Sequence, residues 1–132
     1  MGTWSGDPFG NDSAADWAWE LDGQNDWDLV RAALETAVEA GDAVDDDDAV
    51  MAIAAAEAVA HGLGRPTQVS AYTESVAAFA TRAPTPPPDL VQLALDALAI
   101  ATGPASGLTE LWADDPVEWN DANAKLEAAL KG

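Results

Sequence analysis

With 132 residues and 48% apolar side chains, the chain has the length and composition of one ordinary domain, which excludes the disordered class despite a net charge of −19. Cysteine is absent, which excludes disulfides, thiolate metal sites and thiol nucleophiles together and makes a reducing cytoplasmic compartment the expectation. Acids without a basic residue before Arg31 do not read as a secretory signal, and the apolar run 49–60 is shorter than the roughly 20 residues that cross a bilayer.

The opening segment carries Trp4 and Phe9, two large aromatics that predict packing onto the domain over residues 1–11. Asn11 and Asp12 can cap a short helix running through Leu21, with Ala14, Trp17, Ala18 and Leu21 on one face. Trp19 falls off that stripe and is the aromatic expected to be exposed. A second helix is predicted from about Asp26 to Ala40, because Trp27, Val30, Leu34, Ala37 and Val38 share a face and Gly41 suits a left-handed cap.

A third helix starts within Asp45, Asp46, Asp47 and Asp48, whose carboxylates complement the positive end of its dipole, and continues through His61 to Gly62 or Gly64. It is Ala-rich and apolar nearly all round, the pattern of a helix enclosed by others. A fourth helix is read from about Thr67 to Arg82 on the stripe Val69, Tyr72, Val76 and Phe79, followed by a stiff Pro-rich interhelix connector at 83–88. Pro88 suits the first turn of a fifth helix carrying Leu90, Leu93, Ala94 and Leu98, which Gly103 and Pro104 break. A short sixth helix holds Leu108, Leu111 and Trp112, and a seventh runs from Asp115 and Pro116 to Leu130. The fold expected is therefore all-α: one domain over 1–132, a bundle of six or seven short helices around the central Ala-rich one. Trp17, Trp27, Trp112 and Trp119 are its expected core tryptophans.

The opening Met1-Gly2-Thr3-Trp4-Ser5-Gly6-Asp7-Pro8-Phe9-Gly10-Asn11-Asp12-Ser13-Ala14-Ala15-Asp16-Trp17 resembles a bacterial family described only as a domain of unknown function, DUF4259. Members typically open with Met-Gly, a fourth-position Trp, Pro-Phe and then Asn-Asp-x-x-Ala-Asp before an aromatic. The Ala-rich helix around Glu57 and the segment Leu108-Thr109-Glu110-Leu111-Trp112 are similar as well, so the resemblance spans most of the chain. Ser5 and Asp7 depart from it, standing where the family usually has Gly. The resemblance implies a helical domain and supplies no activity.

Several chemistries can be weighed on single residues. An EF-hand loop begun at Asp46 would place Glu57 twelfth but puts Val50 fifth and Met51 where Gly is needed, so Asp45–Asp48 reads as a solvated helix start and no metal is assigned. Glu57 and His61 lie four apart on an apolar helix and share a face, a geometry open to an acid/base pair, half a metal site or a structural pair. An acid there needs a partner, for which the Trp4 indole N–H or the Tyr72 hydroxyl are the expected donors. Asp16 and Glu20 also share a face, but in a chain too small for a sugar cleft. One histidine, no phosphate-cradling loop and no dinucleotide fingerprint leave no catalytic residue and no cofactor to name.

Charge is the remaining signal. Residues 1–48 hold fourteen acids against Arg31 alone, a net of −13. Such a field repels nucleic acid and anionic membrane and favours steered association with a basic protein surface. The function expected is an acidic interaction domain in an inhibitor, immunity-type or nucleic-acid-mimic role, contacting its partner through Trp19, Asp16, Glu20 and Asp45–Asp48. The alternatives are a small enzyme or metal-dependent domain using Glu57, His61 and nearby carboxylates, and an accessory subunit of a larger assembly.

Overall fold

The structure, a computed structural model, describes residues 5–132; Trp4 and the residues before it lie outside the described residues. Seven α-helices follow one another: α1 (Asp12–Glu20), α2 (Asp28–Ala40), α3 (Asp46–Gly62), α4 (Glu74–Arg82), α5 (Pro88–Ala101), α6 (Gly107–Leu111) and α7 (Val117–Lys131). No β-strand occurs among the described residues.

The caps show why the helices begin where they do. The Ala14 N–H donates to Asn11 Oδ1 at 2.8 Å and the Asp48 N–H to Asp45 Oδ1 at 2.8 Å, each meeting one orphan donor of a first turn. Asn11 and Asp45 are thus the N-caps of α1 and α3. At the far end of α3, Gly64 takes φ +77, and the Arg65 N–H donates back to the Ala60 carbonyl at 2.9 Å.

Helix α3 is the axis of the molecule. Every residue from Ala52 to Ala60 is buried, and the other six helices all pack on it. Small side chains make this possible: an Ala surface lets neighbouring helices approach from several directions at once, and the bulk is supplied from outside by Phe9, Leu21, Leu34, Phe79, Leu90 and Leu126. Trp17, Trp27 and Trp119 are buried as expected, with Trp27 packing edge-on against Phe79 at 4.9 Å. Trp112 is only half-buried, stacked on Trp119 at 6.5 Å, because α6 has five residues and lies at the edge of the bundle.

Two expected elements are corrected. The second helix starts at Asp28, after a cap at Trp27. The fourth starts at Glu74 and not at Thr67, preceded by a 3-10 turn at Ala71–Thr73. Of its predicted stripe only Val76 and Phe79 are buried; Val69 is 81% exposed and Tyr72 51% exposed. The segment from Gly64 to Ser70 is a loop, held in that form by a buried acid of α3.

The opening segment lies across the bundle. Phe9 is fully buried, stacks on Trp17 at 6.4 Å, and its N–H donates to Gln68 Oε1 at 2.8 Å. The Gly6 N–H donates to the Glu118 carboxylate at the start of α7. Ser5 and Asp7 both have negative φ, so neither position requires glycine here, and the Ser5 hydroxyl instead accepts from the Asp7 N–H.

Candidate functional site

The buried acid is satisfied by the chain that immediately follows its own helix. Glu57 and His61 side chains are 0% and 5% exposed, with Oε2 of Glu57 3.1 Å from Nε2 of His61. The same oxygen accepts from the Thr67 N–H and the Gln68 N–H, each at 2.9 Å, while Oε1 accepts from the Thr67 hydroxyl at 2.5 Å. Nε2 of His61 also lies 3.1 Å from the Gln68 carbonyl oxygen. Facing two acceptors, that nitrogen must carry the proton.

Four donors around one carboxylate, two of them backbone N–H groups, are what a buried charge requires to be tolerated. The side chain is 0% exposed, so neither oxygen faces solvent or a substrate. The Tyr72 hydroxyl expected as its partner is replaced by Thr67 and Gln68, and Trp4 lies outside the described residues. Gln68 carries the connection further, since its Oε1 holds Phe9 of the opening segment. The constellation is therefore a fastening between α3, the loop and the N-terminal motif.

The exposed acids are arranged quite differently. Asp12, Asp16 and Glu20 are exposed along α1, and Asp45, Asp46 and Asp47 are exposed at the start of α3. Asp48, half-buried, has its carboxyl held above the ordinary 3.8, first by burial and then by the charges of Asp45 and Asp47. Glu20 and Asp48 come together on a groove of about 190 Å³ between α1, α2 and α3, with Trp17, Leu29, Ala33 and Met51 among its lining. Trp19, 70% exposed, lines a different cavity of about 160 Å³ between α1 and α4, with Tyr72 and Glu74.

Among the described residues no three His, Asp or Glu side chains converge as a metal site would need, and Glu57 stands apart from the surface carboxylates. Arg31, the one cation of the acidic third, reaches across to Asp89 at 3.2 Å. No carboxylate between Asp7 and Asp48 forms a salt bridge with another described residue.

Sequence reasoning missed Thr67, Gln68 and Glu74 as site residues and named Tyr72 only as a donor to Glu57, not as a neighbour of Trp19. Thr67 and Gln68 were legible only as the start of a helix, because periodicity does not register an acid ten residues earlier that captures their N–H groups. Glu74 becomes Trp19's neighbour only through the packing of α4 against α1.

This is an α-helical domain in which, among the described residues, Glu57 is the fully buried carboxylate, held by donors of the chain itself, while the carboxylates from Asp7 to Asp48 carry no salt bridge. Residues 2–124 match the family model described as a domain of unknown function, DUF4259, and the chain belongs to that family. No curated protein and no solved structure matches it. No helix is long and apolar enough to cross a membrane among the described residues.

Proposed function

We propose that the protein is an interaction domain that docks a basic protein partner on the face built by α1, α2 and the first turn of α3, in an inhibitory or charge-mimicking role. The observation that supports this most is the absence of any salt bridge among described residues for the carboxylates from Asp7 to Asp48, although Arg31 is close in sequence and pairs elsewhere. Uncompensated like charges on one face oppose folding through self-repulsion, and a partner that neutralises them removes that penalty. The groove holding Glu20 and Asp48 adds an apolar floor to the charge, as partner-facing surfaces commonly do. Nucleic acid and anionic membrane are disfavoured by the same field. A reducing cytoplasm is the compartment we propose, on a chain without cysteine.

The test is calorimetric titration with a Lys- and Arg-rich peptide, repeated with rising salt. Binding that weakens steadily as the Debye length shrinks from about 10 Å to about 3 Å is the expected result. Salt-insensitive binding, or none at low salt, would refute the proposal.

A second reading, an accessory subunit, is favoured by the apolar patch at α6 and α7, where Leu111 is 61% and Val117 64% exposed beside half-buried Trp112. It predicts association that strengthens with salt.

A further inference from the structure

We infer that the notch between α1 and α4 receives one cationic side chain, a Lys or Arg, of the basic partner; this rests on the function proposed above. Trp19 from the last turn of α1, Tyr72 from the 3-10 turn and Glu74 from the first turn of α4 line it, over methyl groups of Ala15, Ala18 and Ala71. Its volume of about 160 Å³ lies below the roughly 300 Å³ at which sites for drug-sized ligands begin, and suits a single side chain.

Each wall matches a part of such a side chain. The face of an indole attracts a cation more strongly than any other side-chain ring, and Trp19 is 70% exposed, so it is held where a ligand can reach it. Glu74 supplies the counter-charge within the notch, and Asp16 is exposed one turn before Trp19 on α1. The alanine floor takes the aliphatic stem, which Lys and Arg lay along apolar surface while the charged head stays near water.

Two further observations separate Trp19 from the core. Trp17, two residues earlier, already provides the buried aromatic of α1. Arg82, the cation of α4, does not serve the notch: its guanidinium is committed to the carbonyl oxygens of Leu21, Asp22 and Gln24, with its shortest bond, to Leu21, at 2.7 Å. The notch is thus an aromatic and carboxylate pair seated on small residues, at the edge of the acidic face and distinct from the groove of Glu20 and Asp48.

The experiment titrates a hexa-arginine peptide, with its hexa-citrulline counterpart as the neutral control, into the wild-type protein, Trp19→Ala, Glu74→Gln and the triple variant Asp45→Asn/Asp46→Asn/Asp47→Asn. Indole N–H resonances report on Trp19 directly. The expected result is a shift of the Trp19 signal with arginine and not citrulline, and affinity about three- to tenfold lower in Trp19→Ala, with a smaller loss in Glu74→Gln. Weaker binding only in the triple variant would overturn the notch and leave the acidic face standing. Arginine peptide that fails to bind the wild-type protein would overturn both. Trp19 and Glu74 are exposed, so unchanged circular dichroism in their variants is the check on folding.

Discussion

The two ends of α3 treat carboxylates in opposite ways. At its start, Asp45, Asp46 and Asp47 stand in water, meeting at most one backbone N–H apiece, and the charges of Asp45 and Asp47 bear on Asp48. Twelve residues beyond Asp45, Glu57 is fully buried and surrounded by four donors drawn from His61, Thr67 and Gln68. One helix therefore carries acids as surface charge and an acid as a structural fastener. What separates the two roles is the supply of protein donors: where the chain provides them a charge can be buried, and where it does not the charge must stay with water.

That comparison breaks most severely at Glu57. Glu57→Ala leaves the N–H groups of Thr67 and Gln68 and the His61 ring without their acceptor, and a loss of about 3–5 kcal/mol in urea-unfolding free energy is expected. Because Gln68 also holds Phe9, amide exchange in the opening segment should accelerate in the same variant. A loss no greater than that of a surface substitution would show that the fastening carries no stability.

Gly62, in the same half of the helix, tests how tightly α3 is enclosed. A Cβ there would stand 2.7 Å from the Trp27 ring and 2.8 Å from Cγ of Pro86, in a corner already fixed by the bond from Trp27 Nε1 to the Pro84 carbonyl at 2.7 Å. Gly62→Ala should destabilise by about 1–3 kcal/mol through overpacking, despite the higher helix propensity of Ala. Thermal melting with near-UV circular dichroism of the tryptophans measures it.

At the exposed end the effects shrink. Asp45→Ala removes the N-cap bond to Asp48 and should lower stability by about 1 kcal/mol in chemical denaturation. Asp48→Asn should act in the other direction and least of all. Its carboxyl titrates above 3.8 in the folded protein, so folding takes up a proton there, and the contribution of Asp48 falls as pH rises from about 4 toward neutrality. The variant should therefore be slightly more stable than wild type at neutral pH and lose that advantage on acidification below about 4; melting curves across that range decide the sign.

How much of this could be read from the chain follows from which forces are local. The stripe Trp27, Val30, Leu34 and Ala37 names the buried face of α2, and the alanines from 52 to 60 name α3 as the central helix, because apolar periodicity reflects burial directly. Caps at Asn11 and Asp45 are equally local, since side chain and N–H lie three residues apart. The stripe from Val69 to Phe79 misled: Val69 and Tyr72 kept helical spacing while Thr67 and Gln68 had a stronger use for their N–H groups. Trp19 was legible as exposed by falling off the stripe of Trp17, but its neighbours across the notch were not.

The sequence by itself determined the all-helical class, the central Ala-rich helix, the short runs that hold the N-caps of α1 and α3 and the concentration of charge in the first third, all of which depend on neighbours within a turn or on composition. Only the tertiary structure decided that Glu57 fastens the loop and the opening segment, that Arg31 leaves the acidic face to pair with Asp89, and that Trp19 meets Glu74. Those outcomes depend on which donors and acceptors distant segments bring within about 3 Å, a distance that helical periodicity does not encode.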